Sequence, residues 1–187
     1  MPFAVWITGL PGSGKSTIAK ELIKIMDKEK IKLEYLELDK IRKKIIIKPQ
    51  YTGQERDFVY KKFVNLGLIH FKQNKNVVFD ATAHKIKYRK YARKKINNFI
   101  EVYIKCPINI CITRESRRKQ GVVIANMYNK ALQRKKTGKK FSKLGKVIGI
   151  DVPFEESKAE ITINSAKTKP KKAANIIFGY LKKNNLI

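Results

Sequence analysis

The stretch Gly9-Leu10-Pro11-Gly12-Ser13-Gly14-Lys15-Ser16-Thr17 has the spacing G-x-x-x-x-G-K-[ST], the pattern of a loop that wraps phosphate groups. Glycines at its turns let backbone N–H groups approach phosphate oxygens without a Cβ in the way. A helix beginning directly after the loop adds partial positive charge at the same point. Lys15 is placed to reach the β- and γ-phosphates, and the Ser16 hydroxyl to take a coordination position on Mg²⁺. The pattern predicts a nucleoside-triphosphate site, with ATP and Mg²⁺ as cofactors.

Two acids end apolar runs: Asp39 after Leu33–Leu38, and Asp80 after Val77-Val78-Phe79. In a parallel sheet, ligands gather at such strand ends. Arg42 follows Asp39 by about one helical turn, which puts a carboxylate and a guanidinium on one face. The carboxylate could accept the proton of an acceptor hydroxyl while the guanidinium holds a phosphate or sulfate bidentately. Asp80 has the place of an acid that orients metal-bound water beside Ser16. For both acids the plain alternative is a helix cap. Arg89 and Arg93 lie four apart, spaced to clamp an anion or to face solvent. Arg114, Arg117 and Arg118 cluster where a glycine-punctuated segment begins, and arginines on a closing lid would neutralise a transferring phosphoryl group. His70, on an apolar helix, reads as structural, and His84 as a weak substrate contact at best.

The elements that must position these residues alternate. Phe3–Thr8 reads as a buried strand entering the glycine loop, and Ser16–Lys28 leaves it as a helix with Ile18, Leu22, Ile23, Ile25 and Met26 on one face. Strands follow at 33–38, 76–80, 99–104 and 161–164. Helices are predicted at 39 to Pro49, 54–73, 85–97, 108–118, 126–135 and 169–183. Residues 119–157, carrying Gly121, Gly138, Gly145 and Gly149 among many lysines, read as a mobile insertion that acts as a lid. The predicted fold is α/β: a P-loop NTPase fold with a mostly parallel five-stranded sheet, helices on both faces and a lid insertion, in a single domain spanning 1–187.

Forty-three Lys and Arg against fifteen Asp and Glu give a net charge of +28 in 187 residues. Such a charge attracts phosphorylated or polymeric anions, and nucleic acid is left open as a partner. The lysines are scattered along the whole chain, so compositional bias explains them equally well. Cys106 and Cys111 lack metal-ligand spacing and read as small buried residues in a reducing compartment. No apolar run approaches a membrane span and no leader precedes the first strand, so a cytoplasmic location is expected. The sequence sets no oligomeric state, and a homodimer is left open.

Over nearly its full length the sequence resembles the adenylylsulfate kinases, which phosphorylate the 3′-hydroxyl of adenosine 5′-phosphosulfate. Trp6–Ala19 is similar to that family's W-[LI]-T-G-L-S-G-S-G-K-S-T-[IL]-A opening, and Glu37–Arg42 to its D-G-D-N-[IVL]-R. Tyr51-Thr52 through Arg56, Phe99 to Glu115, and Gly149-Ile150-Asp151-Val152-Pro153-Phe154-Glu155 resemble further family motifs. The resemblance implies Asp39 as the proton acceptor and Arg114 against the ATP base. It also implies Arg42, Tyr51, Arg56, Arg89, Arg93 and Ile150 at the acceptor, which would be a small anionic nucleotide such as adenylylsulfate. Departures fall on the acceptor side: Val59 stands for the family's substrate Asn, Val147 for a lid aromatic, and Ala83-His84-Lys85 for S-P-[YF]. Asp80 is also unusual for that family. Asp80-Ala81-Thr82 with Arg89 and Arg93 is closer to polynucleotide 5′-hydroxyl kinases. A third reading is a nucleotide-gated nucleic-acid-binding protein without phosphotransfer.

Overall fold

The computed structural model describes residues 1–117, 125–142 and 144–187. Five strands form one sheet: β1 (Ala4–Thr8), β2 (Leu33–Glu37), β3 (Asn76–Asp80), β4 (Phe99–Lys105) and β5 (Ile161–Asn164). Their spatial order is β2-β3-β1-β4-β5, and every neighbouring pair is parallel. Parallel pairing forces each connection to cross over the sheet, and helices supply those crossovers. They are α1 (Lys15–Lys28), α2 (Leu38–Ile45), α3 (Gly53–Lys72), α4 (Ile86–Arg93), α5 (Ile108–Ser116), α6 (Met127–Thr137) and α7 (Pro170–Lys183).

All five residues of β1 are buried, as expected for a central strand covered on both faces. Its side chains alternate between two cores. Val5 and Ile7 join Ile18, Leu22 and Met26 of α1 and Ile177 and Leu181 of α7 on one side. Ala4 and Trp6 face the α3–α4 side, where Trp6 stacks on Phe79 at 4.9 Å and meets Phe63 edge-on at 5.7 Å. The consequence for function is positional. With β1 rigidly packed, the loop at its carboxyl end and the ends of β2 and β3 are fixed relative to one another.

Several boundaries differ from the sequence expectation. The second strand stops at Glu37, so Asp39 lies inside the first turn of α2 rather than at its cap. The basic helix expected over 85–97 is the shorter α4, ending at Arg93. A third core explains why the described part of the 119–157 segment is packed rather than detached. Met127, Tyr128 and Ala131 of α6 cover Cys106, Cys111 and Val147. The buried Glu115 carboxylate accepts the N–H groups of Met127 and Tyr128, and Tyr128 donates to the Pro11 carbonyl at 2.8 Å. Arg118 and Gly121, assigned to the lid from sequence, lie outside the described residues.

Candidate active site

The glycine loop is shaped for close approach. Gly9 and Gly12 have φ of +144° and +84°, and a Cβ on either would come 2.5 Å from a backbone oxygen, of Ile104 and Cys111 respectively. Only glycine fits both the left-handed backbone and the space. α1 then begins at Lys15 with no side-chain cap at Gly14 and no acid in its first turn. Its N-terminal N–H groups are therefore left for an anion. The Ser13 hydroxyl is buried without a hydrogen-bond partner, a cost that a bound phosphate oxygen would remove. Lys15 Nζ donates to the Leu10 carbonyl at 2.9 Å across the loop. These features fit the phosphate chain of a nucleotide.

A cavity of about 350 Å³ opens in front of this loop. Pro11, Lys15 and Ser16 line one side, and Asp39 and Asp80 come from the neighbouring strand ends. Register explains the second pair: Glu37 at the end of β2 lies beside Asp80 at the end of β3. Asp39 is exposed by surface area, but the surface it exposes lines the cavity. Burial raises its carboxyl above the usual aspartate range; Lys15 and Arg42 pull it back, while Asp80 and Glu37 push it further. A carboxylate made more basic in this way is suited to accept a proton. Ser16 and Asp80 offer a hydroxyl and a carboxylate oxygen, a hard donor set suited to Mg²⁺.

Two cations stand across the cavity. Arg42, 6% exposed, reaches Glu55 at 3.1 Å and lies with its Cζ 5.1 Å from the Tyr51 ring centre. Arg56, equally buried, donates to the Lys146 carbonyl at 2.5 Å and so ties α3 to the segment over the cleft. Tyr51 is held at φ +57°, and the same Glu55 carboxylate accepts its backbone N–H at 3.2 Å. Asp39, Arg42, Tyr51 and Arg56 thus converge on one space with the phosphate loop.

Three expected acceptor residues do not reach it. Arg89 is 1% exposed, and its Nε lies 2.8 Å from Glu101. Its guanidinium also donates to the Ala83 and Glu155 carbonyls. Arg93 forms a two-pronged pair with Glu160 at 2.6 and 2.8 Å and lies 3.7 Å from Glu101. The spacing does clamp anions, but they are carboxylates of this chain. Ile150 packs into the third core beside Val147, and its carbonyl accepts from Lys135. Arg114 lies behind the loop, with Nη2 on the Ser165 carbonyl at 2.9 Å and Nη1 on Ser13. It borders the nucleotide side rather than lining the cavity.

Two further residues line the cavity: His84, expected from sequence as a weak substrate contact at best, and Tyr60, which the sequence did not single out. Tyr60 lines the cavity and accepts the Ala83 N–H at 2.7 Å. Tyr60 and Arg89 together hold Ala83 at a strained φ of +43°. That turn carries His84 to the cavity wall, 2% exposed and with its Nδ1 unpartnered. Burial, reinforced by Arg56 and Lys85, lowers His84 to about 4, so it is neutral at physiological pH. The acid of Glu115, also on the wall, is spent capping α6. Val59, where the family resemblance places an Asn, is fully buried in the α3 core and offers nothing polar. No pattern of period or spacing marks Tyr60, which reaches the cavity from α3, and the Ala83 turn brings His84 to it.

The adenylylsulphate kinase family profile matches residues 1–164. An adenylyl-sulfate kinase of Clostridium acetobutylicum is 31% identical over 192 residues, covering 98% of this chain and 84% of that protein. A cytidine diphosphoramidate kinase of Campylobacter jejuni is 27% identical, covering 88% of this chain and 87% of that one. Among solved structures, a Mycobacterium tuberculosis APS kinase in complex with AMPPNP and APS superposes with a TM-score of 0.82 at 20% identity, covering 97% and 98% of the two chains. That likeness is of fold, and it agrees with the P-loop arrangement of the sheet. The chain belongs to the adenylylsulphate kinase family of ATP-dependent P-loop phosphotransferases.

Proposed function

We propose that this kinase transfers the γ-phosphoryl group of ATP to the 3′-hydroxyl of adenosine 5′-phosphosulfate. The observation that carries the reading is the placement of Asp39, which lines the same cavity as the phosphate loop with Arg42 one helical turn further along α2. The loop N–H groups and Lys15 bind the β- and γ-phosphates, and Arg114 borders the base. Ser16 and Asp80 would hold Mg²⁺, which would neutralise phosphate charge. Arg42 and Arg56 hold the anionic end of the acceptor, and Tyr51 offers a ring face to its base. As the acceptor oxygen bonds to phosphorus and the bond to ADP breaks, its proton passes to Asp39. The segment over the cleft, tied through Arg56 to Lys146, excludes water during transfer.

Val59 and Val147 remove two contacts that the resemblance implies, so a related small nucleotide is the competing acceptor. A coupled assay with Mg·ATP separates the readings, using adenylylsulfate, cytidine diphosphoramidate, a 5′-hydroxyl oligonucleotide and no acceptor. Saturable turnover with adenylylsulfate is the expected result. Turnover confined to either of the other two acceptors would overturn this acceptor assignment.

A further inference from the structure

The backbone around His84 is fixed far more firmly than an ordinary loop requires. The Ala83 N–H donates to the Tyr60 hydroxyl at 2.7 Å, and the Ala83 carbonyl accepts from Arg89. The His84 carbonyl accepts the Glu155 N–H at 2.7 Å, and the Glu155 carboxylate accepts the Ile86 N–H at 2.8 Å. These ties hold Ala83 at φ +43°, a left-handed conformation that is unfavourable for a residue with a Cβ. The imidazole itself is treated differently. It lines the cavity, 2% exposed, and its Nδ1 has no hydrogen-bond partner among the described residues.

A strained turn and an unpaired buried nitrogen are both costly, and a residue that only filled space would need neither. Both make sense if the turn presents the ring to a ligand. Arg56 and Tyr60 lie one helical turn apart on α3 and both line the cavity. The Tyr60–Ala83 hydrogen bond sets His84 beside that face. The Tyr60 ring stacks on Tyr88 at 4.0 Å, and the His84 ring lies against the same Tyr88 at 5.7 Å. His84 therefore belongs to the wall that carries Arg56. Arg56 supplies charge there, whereas His84, uncharged at physiological pH, supplies one directed donor and one directed acceptor. Val59, next to Tyr60, carries no polar group where the family resemblance implies an amide. His84 brings one to the same wall from the turn between β3 and α4.

We infer that His84 is a specificity-determining contact for the acceptor, its imidazole donating a hydrogen bond to an oxygen of the anionic group that Arg56 holds. This rests on the reading that the cavity takes an anionic nucleotide as acceptor. A guanidinium attracts any anion that enters, whereas a ring locked by its backbone selects an oxygen at one place and direction.

The test is His84→Leu, which keeps similar bulk and removes both nitrogens, with KM measured for adenylylsulfate and for ATP. KM for the acceptor should rise about tenfold or more, the worth of one hydrogen bond to a charged group. KM for ATP should stay within about twofold, and Tm should not fall, because the nitrogen removed has no protein partner to lose. His84→Gln, which keeps a donor, should bring the acceptor KM back to within about threefold of the parent. In the parent protein, adenylylsulfate added to the ADP complex should shift the imidazole ¹⁵N resonances of His84 and leave those of His70, the other histidine, in place. An unchanged acceptor KM in His84→Leu, equal rises for acceptor and ATP, or a His84 resonance that ignores the acceptor would each overturn the proposal. If His84→Leu does not fold, His84→Gln and the resonance decide it. A parent that does not phosphorylate adenylylsulfate would instead show that the acceptor assignment beneath the proposal had failed, and the same measurements are then read with whichever acceptor of the panel it does use.

Discussion

Removing the Arg89 guanidinium should destabilise the fold rather than specifically weaken acceptor binding. Arg89 and Glu101 are 1% and 4% exposed in their side chains and 2.8 Å apart. Replacing Arg89 by Met leaves the Glu101 carboxylate buried without its main partner, and breaking such a pair from one side costs about 3–5 kcal/mol. Two features favour the lower end of that range: Arg93 remains 3.7 Å away, and Ser157 still donates to Glu101. Against them, the Ala83 and Glu155 carbonyls lose donors, about 1 kcal/mol or more each when left unsatisfied. The expected loss is therefore about 3–5 kcal/mol, a fall in Tm of about 6–20 °C for a chain of this size. Urea unfolding followed by circular dichroism reads it directly. Replacing both partners, Arg89→Met with Glu101→Leu, should recover at least half, because no buried charge is then stranded. A single variant within about 1 kcal/mol of the parent, with a raised KM for the acceptor alone, would refute this reasoning and return Arg89 to the substrate.

Asp39→Asn should lower kcat by about a hundredfold or more while leaving ATP affinity within twofold, as for loss of a general base; an unchanged rate removes Asp39 from the mechanism. Since Asp39 titrates above its ordinary 3.8 and must be ionised to act, the acid limb of kcat/KM should lie above pH 3.8. Gly12→Ala should abolish nucleotide binding in a fluorescence titration, because the new Cβ would meet the Cys111 carbonyl at 2.5 Å on a backbone with φ +84°. His84 takes up its proton near pH 4 in the fold and near 6.5 when unfolded, so the unfolded chain binds more protons between those values. Its contribution is fully present above about pH 6.5 and is lost as pH falls toward 4, by about 1–3 kcal/mol. His84→Gln should flatten that part of a stability-against-pH curve measured by urea unfolding, and an unaltered slope would show that the imidazole is not the group titrating.

The phosphate loop, the strands around it and the order of elements are legible in the sequence because they are written locally. A glycine spacing, an apolar run and a helical face each report on residues a few positions apart. Asp39, Arg42 and Asp80 are legible for the same reason, each lying at or just beyond an apolar strand pattern. Arg89 and Arg93 were misplaced because their partners, Glu101 and Glu160, lie far along the chain on β4 and just before β5, and spacing reveals a clamp without revealing which anion it holds. Tyr35 reaches Asp80 across 45 residues, and His84 reaches the cavity only through a turn held by Tyr60 and Arg89. The sequence by itself determined that this chain folds around a nucleotide's phosphates. Tertiary structure decided which charges are left to meet a substrate: Arg89 and Arg93 are drawn to Glu101 and Glu160 away from the cavity, whereas Arg42, though paired with Glu55, keeps its place on the cavity wall, because a buried charge is held wherever its partner stands.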